Sequence, residues 1–124
     1  MLEPGARAIV ERTVTAEMTA QALGSGDVPV LGTPALLALM EEAAVRAVSG
    51  ALEPGQTTVG ARIEMDHLAP TAPGTTVTAQ AVLTAVEGRR LTFAVTAEQD
   101  ETVLARGSHK RVVVDRAAFL SLLR

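Results

Sequence analysis

One helix that is apolar on almost every side constrains the fold of this 124-residue chain more than any other feature. Thr33 is a good N-cap, Pro34 occupies the favoured first helical position, and Gly50 is a natural stop. Between them, residues 35–48 consist mainly of Leu, Ala, Val and Met, which leave no wide polar face. A helix of this kind is buried on most sides. Because the chain is short, we expect residues 1–124 to form one domain around it.

The segments after the helix alternate apolar and polar side chains and are rich in Val and Thr, which predicts strands. These segments are residues 57–69, 75–87, 90–99 and 102–114. Short connections at Glu87-Gly88-Arg89 and Gln99-Asp100-Glu101 are typical of antiparallel hairpins. Residues 7–15 predict one strand before the helix, and residues 115–124 a short helix capped by Asp115. This order predicts an α+β hotdog fold, in which an antiparallel five-stranded sheet wraps around one long central helix.

The same helix predicts a second subunit, because so short a chain cannot cover all of its apolar surface. We therefore expect a homodimer, with a tetramer as an open alternative. The net charge of −3 argues against nucleic-acid binding, which needs concentrated Lys and Arg. The chain has no Cys and only two His, so we expect no metal site. Neither an export signal nor a membrane span is visible, which favours a cytoplasmic protein.

Two side chains on apolar faces are candidates for proton chemistry. Glu42 and Arg46 can pair along the helix, whereas Glu41 has no partner three or four positions away. A carboxylate placed in this way can act as a general base or attack an acyl carbon, or it lies at the surface edge of the helix. His67 falls in register with Val59, Ala61, Ile63 and Met65 on the apolar face of its strand. It is a candidate proton shuttle or a core histidine bonded to a backbone carbonyl.

Three further positions suit the binding of a polarised carbonyl or an anion. Thr33 is most simply an N-cap, but its hydroxyl also lies beside the free N–H groups of a helix start. Gly60, inside a strand, marks either a bulge or point of close packing, or a close approach of a carbonyl to the backbone N–H. Arg111 belongs to a basic group with Arg106, His109 and Lys110 that forms a solvated strand face or contacts coenzyme A phosphates.

The residues around these positions resemble a known family. The segment TPALLALMEEAA at residues 33–44, Val59-Gly60, and His67-Leu68-Ala69-Pro70 are similar to the fluoroacetyl-CoA thioesterase family of single-hotdog proteins. The similarity extends in order over about residues 8–114. It includes the spacing between the helix Thr and Glu, the interval from Glu to His, and a Gly seven residues before the His.

The resemblance implies a dimeric enzyme that hydrolyses a small acyl-CoA thioester, with coenzyme A arriving as part of the substrate and no other cofactor. It implies Thr33, Glu41 and His67 as catalytic residues, Gly60 as a backbone contributor and Arg111 as an active-site or coenzyme contact. Family members specialised for fluoroacetyl-CoA carry aromatic residues before the helix, whereas residues 23–28 contain none. The acyl group therefore stays open. So do an acyl-CoA hydratase or dehydratase, and a non-catalytic acyl-CoA binding protein.

The helix itself adds a geometric constraint. Residues 33 and 41 of one straight helix are separated by roughly 12 Å along its axis. Thr33 and Glu41 therefore cannot touch each other. Either one substrate molecule spans Thr33 and Glu41, or a neighbouring chain brings one of these two residues to the group with which the other acts. Both options predict a groove at a dimer interface.

Overall fold

In the computed structural model, which describes residues 1–123, the long helix α2 (Thr33–Val48) lies against one face of a five-stranded antiparallel sheet. The five strands are β1 (Arg7–Thr13), β2 (Gln56–His67), β3 (Thr76–Glu87), β4 (Arg90–Gln99) and β5 (Thr102–Asp115). Their spatial order is β1-β3-β4-β5-β2, so that β1 and β2 form the two edges. This is the predicted α+β architecture, and the predicted strand bounds lie within two residues of the observed ones.

Two short helices complete the chain. The helix α1 (Ala20–Leu23) precedes the loop to α2, and α3 (Arg116–Leu120) follows the last strand. Asp115 caps α3 as predicted, because its carboxylate accepts a hydrogen bond from the backbone N–H of Ala118 at 2.9 Å. Neither these helices nor α2 has the length and apolar character needed to cross a bilayer.

The core lies between α2 and the inner face of the sheet, mainly over β1 and β3. On β4, alternate side chains are fully buried as predicted: Leu91, Phe93, Val95 and Ala97. On β3 the predicted alternation holds up to Leu83 and then fails, since a register shift follows. Beyond that shift Val86 packs against the core.

One flank of α2 is not covered by the sheet. Pro34, Ala38 and Val45 are exposed there, and Leu37 is only half-buried. The opposite flank packs into the core through Leu36, Leu39, Met40, Ala43, Ala44 and Val48. The prediction that this short chain cannot bury the whole helix is therefore confirmed, and an apolar strip with Glu41 at its centre stays accessible.

Candidate active site

Glu41 is held by a buried arginine from the last strand. Nη1 of Arg111 donates a hydrogen bond to Oε2 of Glu41 at 3.0 Å. The Arg111 side chain is 7% exposed and the Glu41 side chain 36% exposed. Burial lowers the pKa of Arg111 and Glu41 raises it again, and the guanidinium stays charged at neutral pH. Glu41 thus lacks a partner on its own helix, as expected, but it is paired with a residue 70 positions later.

The guanidinium plane of Arg111 is fixed by two further residues. Nε donates to Oγ1 of Thr58, and Nη2 donates to the Thr58 carbonyl, both at 3.0 Å. Nη1 also lies 3.2 Å from Nε2 of His109. Because these contacts engage all three nitrogens of the fork, Arg111 presents a fixed charge to Glu41. The predicted solvated basic face is therefore wrong for Arg111 and His109, which are 6% and 1% exposed.

Gly60 gives the Glu41 carboxylate its space. A Cβ atom added at this position would lie only 2.5 Å from Oε2 of Glu41, so the backbone of β2 approaches the carboxylate as closely as a glycine allows. The pairing of β2 with β5 shifts register between Gly60 and Arg62, so Ala61 is the extra residue of a bulge. The bulge confirms one of the two interpretations of Gly60. It also corrects the predicted inner face, because Thr58 and Gly60, rather than Val59 and Ala61, point towards α2.

A cavity of about 300 Å³ opens in front of the carboxylate, lined by Glu41, Gly60, Ala61, Arg62, Ile63 and His109. Its walls combine a carboxylate, an imidazole and strand backbone with the apolar Ile63 side chain. Such a mixture of apolar walls and a few polar groups is typical of small-molecule sites. No cluster of three or more metal-ligating side chains occurs within residues 1–123.

Thr33 and His67 form a second pair at the start of α2. Oγ1 of Thr33 lies 2.8 Å from Nδ1 of His67, which is the last residue of β2. Gly32 occupies the N-cap position and Thr33 is the first helical residue, so the predicted N-cap role of Thr33 is wrong. The hydroxyl bonds the imidazole instead. The alternative proposed for His67, a core histidine bonded to a backbone carbonyl, describes His109, whose Nδ1 lies 2.7 Å from the carbonyl of Arg62.

The chain therefore brings the five predicted site residues together as two groups. Glu41, Gly60 and Arg111 meet at the middle of α2, and Thr33 and His67 meet at its N-terminus. Glu41 lies eight positions after Thr33 on α2, which corresponds to roughly 12 Å along the helix axis.

Sequence reasoning missed the roles of Thr58 and His109 beside Arg111. A signal for His109 and Arg111 was present, since even intervals along β5 separate them from the apolar residues Ala105 and Val113, which are buried. Side chains two residues apart share a face of a strand, so this spacing places both basic residues on the inner face of the sheet. Arg106 and Lys110 occupy the other face and are exposed.

A family model described as fluoroacetyl-CoA-specific thioesterase matches residues 14–117 of this chain. The chain belongs to that family. The fluoroacetyl-CoA thioesterase of Streptantibioticus cattleyicolor is 41% identical over 95 residues, which cover 77% of this chain and 68% of the relative. The resemblance inferred from the motifs is thus confirmed, and the chain is a thioesterase.

Solved structures confirm the hotdog fold. A mutant of the fluoroacetyl-CoA-specific thioesterase in complex with fluoroacetate and CoA is 35% identical, with a TM-score of 0.89 over 95% of this chain and 99% of that chain. A hypothetical protein from Thermus thermophilus, described as a thioesterase superfamily member, is 30% identical. Its TM-score is 0.90 over 98% of this chain and 90% of that chain.

Proposed function

We propose that this protein hydrolyses the thioester of a small acyl-CoA to the free acid and coenzyme A. One observation carries the proposal: the Glu41 carboxylate is fixed by Arg111 and faces a small cavity beside the backbone of Gly60. A fixed carboxylate next to a strand backbone suits attack on a carbonyl whose oxygen is held by an N–H group. The family and the relative's complex with CoA and fluoroacetate support coenzyme A thioesters as substrates.

In the proposed mechanism, the thioester carbonyl lies near the N–H of Gly60. Glu41 either removes a proton from an attacking water molecule or attacks the acyl carbon itself, which gives a transient anhydride that water hydrolyses. The C–S bond breaks as the carbonyl reforms, and His67 delivers a proton to the departing thiolate. Thr33, bonded to the ring of His67, holds the imidazole in one orientation. No metal or redox cofactor takes part.

The separation of the two groups along α2 supports a homodimer as the active form. The apolar strip around Glu41 is uncovered, and β2 lies at an edge of the sheet with no second strand partner among residues 1–123. A second copy on this side covers the strip and places its own residues in the groove. The catalytic centre then combines Glu41 of one protomer with Thr33 and His67 of the other.

A panel of acyl-CoA esters from two to twelve carbons tests the proposal, with release of free thiol as the readout. We expect turnover of short saturated esters. Residues 23–28 contain no aromatic side chain, so fluoroacetyl-CoA is included beside acetyl-CoA and we expect no strong preference between them. Addition of water to an enoyl-CoA without thiol release would instead identify a hydratase. Tight stoichiometric binding without turnover would identify a binding protein.

Mixed dimers test the shared centre. Glu41→Gln and His67→Ala subunits are each expected to be nearly inactive alone. When the two are mixed and allowed to exchange subunits, a centre built from two protomers regains one intact site in each mixed dimer. If mixing restores no activity, Glu41 and His67 of the same protomer act together and the substrate spans them.

A further inference from the structure

His109 is the most deeply buried ionisable side chain next to the proposed centre. It lies on β5 opposite Ile63 of β2 and Phe93 of β4. Its ring is 1% exposed, and its centroid lies 6.2 Å from that of Phe93. None of the steps proposed above uses this imidazole, although it lines the cavity in front of Glu41.

The hydrogen bonds of His109 determine which ring nitrogen carries the proton. Nδ1 lies 2.7 Å from the backbone carbonyl of Arg62, the residue that follows the bulge at Ala61. A carbonyl oxygen only accepts hydrogen bonds, so Nδ1 must be the protonated nitrogen. In the neutral ring, Nε2 then carries a lone pair and can only accept.

The partner of that lone pair is Arg111. Nη1 of Arg111 lies 3.2 Å from Nε2 of His109 and 3.0 Å from Oε2 of Glu41. Because Nη1 carries two hydrogens, it can donate one to each. The contacts form a directed chain from the Arg62 carbonyl through the imidazole and the guanidinium to the carboxylate, and every donor in it meets an acceptor.

The charged form of His109 does not fit this chain. A protonated Nε2 would direct its hydrogen at the Arg111 cation, and Glu41 lies 3.7 Å away, beyond hydrogen-bond distance. Burial lowers the pKa of His109 and the charge of Arg111 lowers it too, whereas the Arg62 carbonyl and the Glu41 carboxylate raise it. These are the charged and polar groups that face the ring.

We propose that His109 is a positioning residue, which as a neutral Nδ1–H imidazole accepts from Nη1 of Arg111 and thereby directs the guanidinium at Glu41. The proposal rests on the proposed hydrolysis, because it gives Arg111 the task of fixing the carboxylate. The proposal also gives the bulge at Ala61 a role, because the next residue, Arg62, supplies the carbonyl that sets the tautomer of His109. His109 itself touches neither the substrate nor the attacking water in this scheme.

Two neutral substitutions separate the two ends of the ring. His109→Gln can place an amide oxygen near the position of Nε2 and retain the acceptor for Arg111. His109→Asn can retain the donor to the Arg62 carbonyl and loses that acceptor. We expect His109→Asn to lower kcat about 10- to 100-fold with little change in KM, because the carboxylate is misplaced. We expect His109→Gln to retain most of kcat.

A control variant, Val77→Ala, removes buried volume from β3 and measures how far lost stability alone lowers kcat. Equal kcat values for His109→Gln and His109→Asn, or losses that match the Val77→Ala loss at equal thermal stability, would overturn the positioning role.

Nitrogen-15 NMR of the parent protein at neutral pH provides a test that needs no variant. We expect a proton on Nδ1 and an unprotonated Nε2, and an imidazolium or a proton on Nε2 would refute the proposal. Failure of the parent to release thiol would refute the hydrolysis instead, and the tautomer measurement does not depend on turnover.

Discussion

The substitution Gly60→Ala tests the geometry of the proposed centre with a single methyl group. The new Cβ atom would lie 2.5 Å from Oε2 of Glu41, 3.3 Å from Nη1 of Arg111 and 3.6 Å from Cε1 of His109. The first distance is too short for any real contact, so an atom must move. The carboxylate is the end of a flexible side chain and moves more easily than the backbone of β2.

The size of the displacement follows from these distances. To reach ordinary van der Waals contact at 3.4 Å, the carboxylate oxygen must retreat by about 0.9 Å. A shift of about 1 Å in a reacting group can lower the rate about 10²-fold, and we expect that loss in kcat. The backbone angles of Gly60 are open to alanine. Alanine also restricts the unfolded chain, which stabilises the fold by about 0.4–1 kcal/mol and offsets part of the cost of moving the carboxylate. The free energy of unfolding should therefore change little.

Thiol release from a short acyl-CoA and thermal unfolding measure the two effects separately. Gly50→Ala is the matched control, since a Cβ atom there has no neighbour within 4 Å. It adds the same methyl group outside the site, and we expect parent activity. A Gly60→Ala protein that hydrolyses at the parent rate would show that the position of the carboxylate does not limit the reaction. A protein that loses its fold would show that β2, rather than Glu41, had to move.

Three further outcomes are expected. Glu41→Ala should abolish turnover and also destabilise the fold by about 1–3 kcal/mol in chemical denaturation, because the buried Arg111 loses its carboxylate partner; an unchanged free energy of unfolding would refute the ion pair. His67→Ala should lower kcat at least about 10²-fold, as expected for a lost proton shuttle, and Thr33→Val should lower it less; parent-like rates would exclude this pair from the chemistry. The pKa of His109 is lower in the native protein than in the unfolded chain, so the unfolded chain binds the proton first and stability falls as the pH drops through the ordinary histidine range. The unfolding midpoint should therefore fall more steeply for the parent than for His109→Gln between about pH 7.5 and 5.5, and parallel curves would contradict the buried neutral ring.

The sequence predicts the architecture because local signals and burial agree. The helix around residues 33–48 has no wide polar face, and the alternating strands have one apolar face. The helix and the sheet must therefore bury their apolar surfaces against each other. The short hairpin connections then determine which strands are neighbours from β3 to β5. The place of β2 beside β5 does not follow from such local rules, because that pairing joins residues about 40 to 60 positions apart.

The site is less readable, because its decisive contacts join distant segments. Glu41 has no oppositely charged side chain three or four positions away on its own helix, yet Nη1 of Arg111 on β5 lies 3.0 Å from its Oε2 atom. Thr33 satisfies the sequence rules for an N-cap, but Gly32 occupies the N-cap position. The hydroxyl of Thr33 instead forms a hydrogen bond with His67. In both cases a tertiary hydrogen bond uses an atom that local rules assign elsewhere.

The bulge at Ala61 explains why strand alternation alone could not place the site. Gly60 and His67 are seven residues apart, and in a regular strand an odd interval puts two side chains on opposite faces. The extra residue at Ala61 changes the face once, so Gly60 and His67 both point towards α2. Without it, only one of them could face the helix that carries Thr33 and Glu41. A glycine followed by an odd interval to a second functional residue is thus a sequence signal for a bulge, and that bulge is what allows one edge strand to contribute to both ends of the groove.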